Sequence, residues 1–200
     1  MPKRKAKTGF NKRNTAIRES YDRVLILTEG SKTEQIYFKG LVKYLKLSSV
    51  NIKILDIKQT TPDSLFKQAK KLYNKSESDK NPYDRVYCIF DKDKHAKYQE
   101  TKNTIDCITK PKNVYYYGFS EPCFEFWLLL HYAKTEQPFI NFDELRKNKI
   151  FKEHFPNYIK SQINFDDFKD KILTACNNAK DNQHTNLNKL IGYLQNIKNQ

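Results

Sequence analysis

Residues 83–95 read YDRVYCIFDKDKH. The run RVYCIF is short, apolar and uninterrupted, the pattern of a strand buried on both faces. It ends on Asp91 and Asp93, two carboxylates with one lysine between them. A strand that finishes on paired negative charges has two explanations. Either the chain has reached the surface and begins a polar turn, or the two acids hold a divalent cation. The rest of the sequence decides between them.

Working outward, residues 23–28 (RVLILT) form a second buried run, and NIKILDI at 51–57 and NVYYYGFS at 113–120 read as two more strands. Helical patterns lie between them. In KTEQIYFKGLVKYLKL the residues Ile36, Phe38, Leu41, Val42 and Leu45 recur at amphipathic spacing. TPDSLFKQAKKLYNK opens with Thr61 as an N-cap and Pro62 at the first helical position. A third helix is expected over about 96–109, and the apolar stretch FEFWLLLHY, Phe124 to Tyr132, is read as part of a buried helix over 123–133. Strand–helix alternation of this kind predicts an α/β fold, a mostly parallel sheet flanked by helices, over residues 19–137. Beyond Pro138 no strand signal recurs. Helical patterns near 141–150, 165–180 and 185–198 predict a helical extension, residues 138–200, packed on the sheet.

The chain has 200 residues and a formal net charge of +14, a size that suits one domain with a small appendage. Half of the charge excess sits in residues 1–18, MPKRKAKTGFNKRNTAIR, with seven Lys or Arg and no acid, whereas the remainder has 30 basic side chains against 23 acidic ones. So little apolar surface cannot offset the entropy of ordering, so the segment reads as a flexible basic arm. Its Lys3, Arg4, Lys5, Lys7, Lys12 and Arg13 are expected to contact nucleic-acid phosphates, the alternative being a merely solubilising terminus. The arm has no apolar run behind its charges and is not expected to be a secretory signal. No stretch approaches the roughly 20 apolar residues that span a bilayer. Cys88, Cys107, Cys123 and Cys176 have neither zinc-ligand spacing nor the density of a disulfide framework, which points to reduced thiols in a cytoplasmic protein.

In open α/β sheets ligand chemistry gathers at the carboxyl ends of the strands. The first strand also ends on an acid, Glu29, followed by Gly30, which permits a tight turn and close approach of backbone to ligand. If the first and third strands are neighbours, Glu29, Asp91 and Asp93 converge. Their charges repel and raise one another's pKa unless a cation neutralises them. A hard, oxygen-seeking ion, Mg²⁺ or Mn²⁺, fits that demand, and carboxylate-held magnesium is a standard device for phosphodiester chemistry.

Three blocks in order, ILTEGSKTEQIYFKGL, YDRVYCIFDKDKH and SEPCFEFWLLLHY, with a weaker fourth, NQHTNLNKLIGYL, resemble the RloB-like family of bacterial Toprim-domain proteins over about residues 24–195. Gln35 stands where that family often carries proline, a departure expected to affect the helix start rather than the chemistry. The resemblance implies a metal-dependent nuclease centre in which Glu29 is a metal ligand or general acid/base, and Asp91 and Asp93 hold the cation. It also implies a place in phage defence or restriction, often beside an ATPase partner. Related Toprim proteins cleave DNA with two metals or cut RNA, so the nucleic acid stays open.

Further candidates carry a second meaning each. Glu34 is a ligand for a second metal, or simply an acid favoured near a helix N-terminus. Lys32 binds a phosphate oxygen or a developing charge, or is a solvated lysine. Glu125, in an otherwise apolar stretch, is too costly to bury without a partner and is expected to point back to the strand ends as another ligand or positioning group of the catalytic site; Glu121 competes for that role. His131 reads as a hydrogen-bonded core histidine rather than a ligand, and His95, directly after the acids, either assists phosphate binding or proton transfer or is a bystander in a polar turn. His184 and Lys189 either bring a cation towards the metal centre from the C-terminal helices or belong to a solvated helix start. Tyr115, Tyr116 and Tyr117 alternate across a strand, which suits packing as well as base stacking. The leading expectation is a Mg²⁺- or Mn²⁺-dependent nuclease acting on DNA or RNA. The alternatives are a non-catalytic nucleic-acid or partner-binding module, and nucleotidyl transfer of the primase kind, for which the chain leaves little room.

Overall fold

The computed structural model describes residues 21–29, 32–57, 61–92 and 97–199. Four parallel strands, β1 (Val24–Thr28), β2 (Ile52–Asp56), β3 (Arg85–Asp91) and β4 (Tyr115–Ser120), lie in the order β2-β1-β3-β4. Between them run α1 (Lys32–Tyr44), α2 (Pro62–Ser78) and α3 (Tyr98–Asp106). The expected α/β architecture is present, with helices covering both faces of the sheet.

Period-two alternation divides the strands between two cores. Val24, Ile26, Tyr87 and Ile89 face α1, whose Tyr37, Phe38 and Leu41 pack against them. Leu25, Leu27, Val86, Cys88 and Phe90 face the opposite side, where Leu65, Phe66 and Ala69 of α2 and Tyr98 and Ile105 of α3 close the layer. The three tyrosines of β4 serve packing. Tyr116 stacks on Tyr87, while Tyr115 meets Phe66 and Tyr73 and Tyr117 meets Phe90.

After β1 the chain turns to one face, and after β3 to the other. The carboxyl ends of these neighbouring strands therefore lie where the connections diverge, the switch point at which α/β sheets open a crevice. Their register aligns Thr28 with Ile89, so Glu29 and Asp91 stand at adjacent strand ends.

Local signals explain several boundaries. Thr61, in extended backbone, accepts a hydrogen bond from the Ser64 N–H, and Pro62 opens α2. Past β4 the apolar stretch forms only the six-residue α4 (Phe124–Leu129), shorter than its composition suggests, and every residue of it is buried. The expected helix over 141–150 is two, α5 (Phe142–Lys147) and α6 (Lys149–His154), because Asn148 leaves helical geometry and its side chain caps α6 through the Ile150 and Phe151 N–H groups. The region from 165 starts as two 3₁₀ turns, Phe165–Asp167 and Lys169–Lys171, before α7 (Ile172–Asn178); α8 (Leu187–Asn196) follows.

The extension shares one core with the sheet. Phe139, Leu145, Phe151, Phe165, Phe168 and Ile172 join Tyr37 and Trp127 in the same cluster. The outer edge of β4 is also covered. Asn186 imitates a strand, its Oδ1 accepting from the Phe119 N–H and its Nδ2 donating to the Tyr117 carbonyl. Among the described residues no helix is long and apolar enough to cross a membrane.

Gly40 marks the closest approach of α1 to the extension, since a Cβ there would overlap the Phe165 ring. Gly40→Ala is expected to destabilise the chain by about 1–2 kcal/mol, overpacking outweighing the helix-propensity gain. Gly192, in α8, has open space around it, and Gly192→Ala should gain up to about 1 kcal/mol. Urea unfolding midpoints check both, and equal shifts of one sign would contradict the packing argument.

Candidate metal centre

Glu29 leaves the end of β1 with its Oε2 accepting a hydrogen bond, 3.3 Å long, from the Asp91 N–H at the end of β3. Asp91 in turn uses Oδ1 to accept from the Phe124 N–H at 2.9 Å, which ties β3 to the first residue of α4. Glu34 comes in from the first turn of α1 and is buried, at 1% exposure. Glu125, also 1% exposed, comes from α4. Carboxylates from four different parts of the fold thus meet at the switch point, Glu34 and Glu125 buried and Glu29 and Asp91 part-buried.

The electrostatics follow from that crowding. Burial, then the negative charges of Asp91, Glu29 and Glu125, push the Glu34 carboxyl well above the usual range, against the pull of Lys160. Burial, then the charge of Glu125, does the same to Asp91, with Lys160 and the Phe124 N–H opposing. Two buried oxygens there have no hydrogen-bond partner among the described residues, Glu34 Oε2 and Thr28 Oγ1. Orphaned buried polar atoms are rare and call for an explanation such as a bound ion or water.

A metal ion implied by such chemistry can be tested against the donors. Hard carboxylate oxygens gathered at one strand edge suit Mg²⁺ or Mn²⁺, and the buried Glu34 Oε2, without a hydrogen-bond partner among the described residues, offers a ligand atom. The donor set therefore fits. It is not a closed cage, however. Among the described residues no group of three or more Asp, Glu, His or Cys side chains is arranged to hold an ion as it stands. Asp93, Gly30, His95 and the basic arm with Lys3, Arg4, Lys5, Lys7, Lys12 and Arg13 lie outside the described residues.

The remaining candidates separate clearly. Lys32 is exposed at the first residue of α1, and Lys189 is exposed on α8. Glu121 turns to Lys92 at 3.0 Å and His184 at 3.1 Å. His131 is a core residue bonded to the Tyr37 hydroxyl and the Trp127 carbonyl, and burial lowers its pKa to about 4.

Two residues of the extension that sequence reasoning missed complete the region. The Tyr158 hydroxyl donates to Glu125 Oε1 at 2.8 Å, and the Lys160 ammonium lies 3.6 Å from the same oxygen. Although burial alone disfavours the ammonium, the charges of Glu125 and Asp91 hold its pKa above the usual lysine range. A lone glutamate in an apolar helix signals the need for such a partner. Nothing in HFPNYIKSQ signals which lysine answers it.

The RloB-like protein family model matches residues 24–195, and the chain belongs to that family. No curated protein and no solved structure matches it.

Proposed function

We propose that this member of the RloB-like family is a Mg²⁺- or Mn²⁺-dependent nuclease of Toprim type. It would hydrolyse phosphodiester bonds of DNA or RNA in the cytoplasm, within a bacterial anti-phage or restriction-associated system that includes an ATPase partner. The observation that carries this reading is the carboxylate cluster of part-buried Glu29 and Asp91 with buried Glu34 at the switch point of the sheet. When bound, the divalent cation supplies positive charge that polarises a phosphate and favours hydroxide over water. Asp91 and Glu34 would hold it as carboxylates, with Asp93 the further ligand that the sequence offers. Glu29, oriented by the Asp91 N–H, accepts the proton of the attacking water. The hydrogen bond from the Phe124 N–H orients the Asp91 carboxylate through one of its two oxygens.

The Lys160–Glu125 pair favours a second reading, in which the acids are structural and the chain only binds nucleic acid or a partner. Labelled DNA and RNA incubated with the chain, with and without Mn²⁺, separate the two. Metal-dependent cleavage that is abolished in Asp91→Asn and Glu29→Gln supports the nuclease. Binding without cleavage in both the chain alone and the chain with a candidate ATPase partner would sink it.

Deleting residues 1–18 is expected to lower the slope of log affinity against log salt by about two or more, since each phosphate that a Lys or Arg neutralises contributes roughly 0.9 to that slope. Binding measured by fluorescence anisotropy at several salt concentrations checks it, and an unchanged slope would make the arm a passive terminus.

A further inference from the structure

The segment between α6 and the first 3₁₀ turn, residues 155–164, straps the extension across the carboxylates. Its anchors are specific. Tyr158 packs on Phe142, Phe151 and Phe155 and sends its hydroxyl to Glu125. Ser161, held at a positive φ of 73°, delivers its N–H to Thr33 Oγ1 beside Glu34. Between these anchors Lys160 reaches the buried Glu125 while half of its own side chain stays exposed. The ammonium also lies 4.8 Å above the Phe142 ring, an apolar-edged position that still favours a cation when the carboxylate is neutralised.

We propose that Lys160 is a built-in counter-ion of the carboxylate pocket, which a divalent cation displaces on binding. The inference rests on the metal-centre reading and adds its regulation. A buried carboxylate cannot stay charged without a partner, and among the described residues Lys160 is a cation that reaches Glu125. Its positive charge also acts on Asp91 and Glu34, the residues that would hold the ion, so the two compete. Lysine suits an exchangeable role because its ammonium is a point charge on a flexible stem, unlike the fixed fork of arginine. The half-exposed stem can swing out while Tyr158 and Ser161 hold the strap. Metal affinity is thereby weakened, and loading is coupled to the position of residue 160.

The test compares wild type, Lys160→Gln and Lys160→Arg as full chains. In EDTA, Lys160→Gln should melt lower than wild type, and a Lys160→Gln/Glu125→Gln double variant should recover part of the loss. Titration calorimetry with Mn²⁺ alone should show Lys160→Gln binding about tenfold tighter than wild type, the effect of removing one nearby like charge. Lys160→Arg should stay within about threefold of wild type, because the charge is kept. If Mn²⁺ binds wild type in an Asp91-dependent way but Lys160→Gln binds it equally or more weakly, the counter-ion is overturned and the metal centre stands. If neither chain binds Mn²⁺, the metal centre fails and displacement fails with it. Weaker nucleic-acid binding with unchanged Mn²⁺ affinity would reassign Lys160 to phosphate contact and overturn the proposal.

Discussion

Asp91→Asn is expected to slow Mn²⁺-dependent cleavage at least about hundredfold while leaving nucleic-acid affinity within about twofold, because it removes charge needed at the reacting phosphate and not the contacts that hold the strand. The substitution is nearly isosteric. The amide oxygen it introduces can still accept from the Phe124 N–H, which in the native chain donates at 2.9 Å, so the tie from β3 to α4 survives. What changes is the negative charge at the end of β3. Glu29→Gln should cost a comparable factor through a different route, by removing the proton acceptor beside the Asp91 N–H. Lys32→Gln is the contrasting case, since an exposed lysine at the start of α1 has no fixed geometry toward the acids. Its effect should stay below about tenfold, in line with the modest value of exposed charges. Equal losses in Lys32→Gln and Asp91→Asn would mean that simple electrostatic attraction, not a metal centre, underlies the activity. Full activity in Asp91→Asn would end the nuclease reading at this site.

The parts of this arrangement that the sequence discloses share a physical cause. VLILT and RVYCIF are buried on both faces, and so they show as unbroken apolar runs whatever surrounds them. An acid after such a run stands at a strand end, which makes Glu29 and Asp91 legible. That β1 and β3 are neighbours has no local signature, because strand order is set by the crossovers. The break at Asn148 is hidden for a different reason. The apolar spacing of 141–150 continues through it, and only the side-chain cap on Ile150 and Phe151 shows that the helix restarts. Lys160 and Tyr158 are beyond the reach of pattern because the charge they answer lies 33 or more residues earlier. Among so many lysines, composition says that a cation is plentiful, not which one arrives.

Glu34→Gln is expected to raise the stability of the metal-free chain by about 1–2 kcal/mol, the size of a single gain at a functional site that trades stability for activity. That corresponds to roughly 2–4 °C per kcal/mol in midpoint for a chain of this length. Glu34 is buried among Asp91, Glu29 and Glu125, which push its pKa up from the ordinary 4.5, as burial and Glu125 push Asp91 up from 3.8. A raised folded-state value means that the folded chain binds more protons than the unfolded one over the interval between the two. The contribution is fully present below the ordinary values and is lost as pH rises through the raised ones. His131 acts in the opposite sense. Burial lowers it from 6.5 to about 4, so its contribution is present above 6.5 and declines as pH falls toward 4. The two trends oppose one another in mildly acidic solution, and the absolute curve of wild type hides both. The difference between Glu34→Gln and wild type cancels His131 and isolates the carboxylate. In EDTA that difference should be small at pH 4 and grow toward pH 8. Saturating Mn²⁺ should shrink or reverse it, because binding at about a hundred times Kd adds about 2.7 kcal/mol to the chain that keeps the ligand. A difference that is flat with pH, or indifferent to Mn²⁺, would show Glu34 to be a protonated packing residue and remove it from the metal centre.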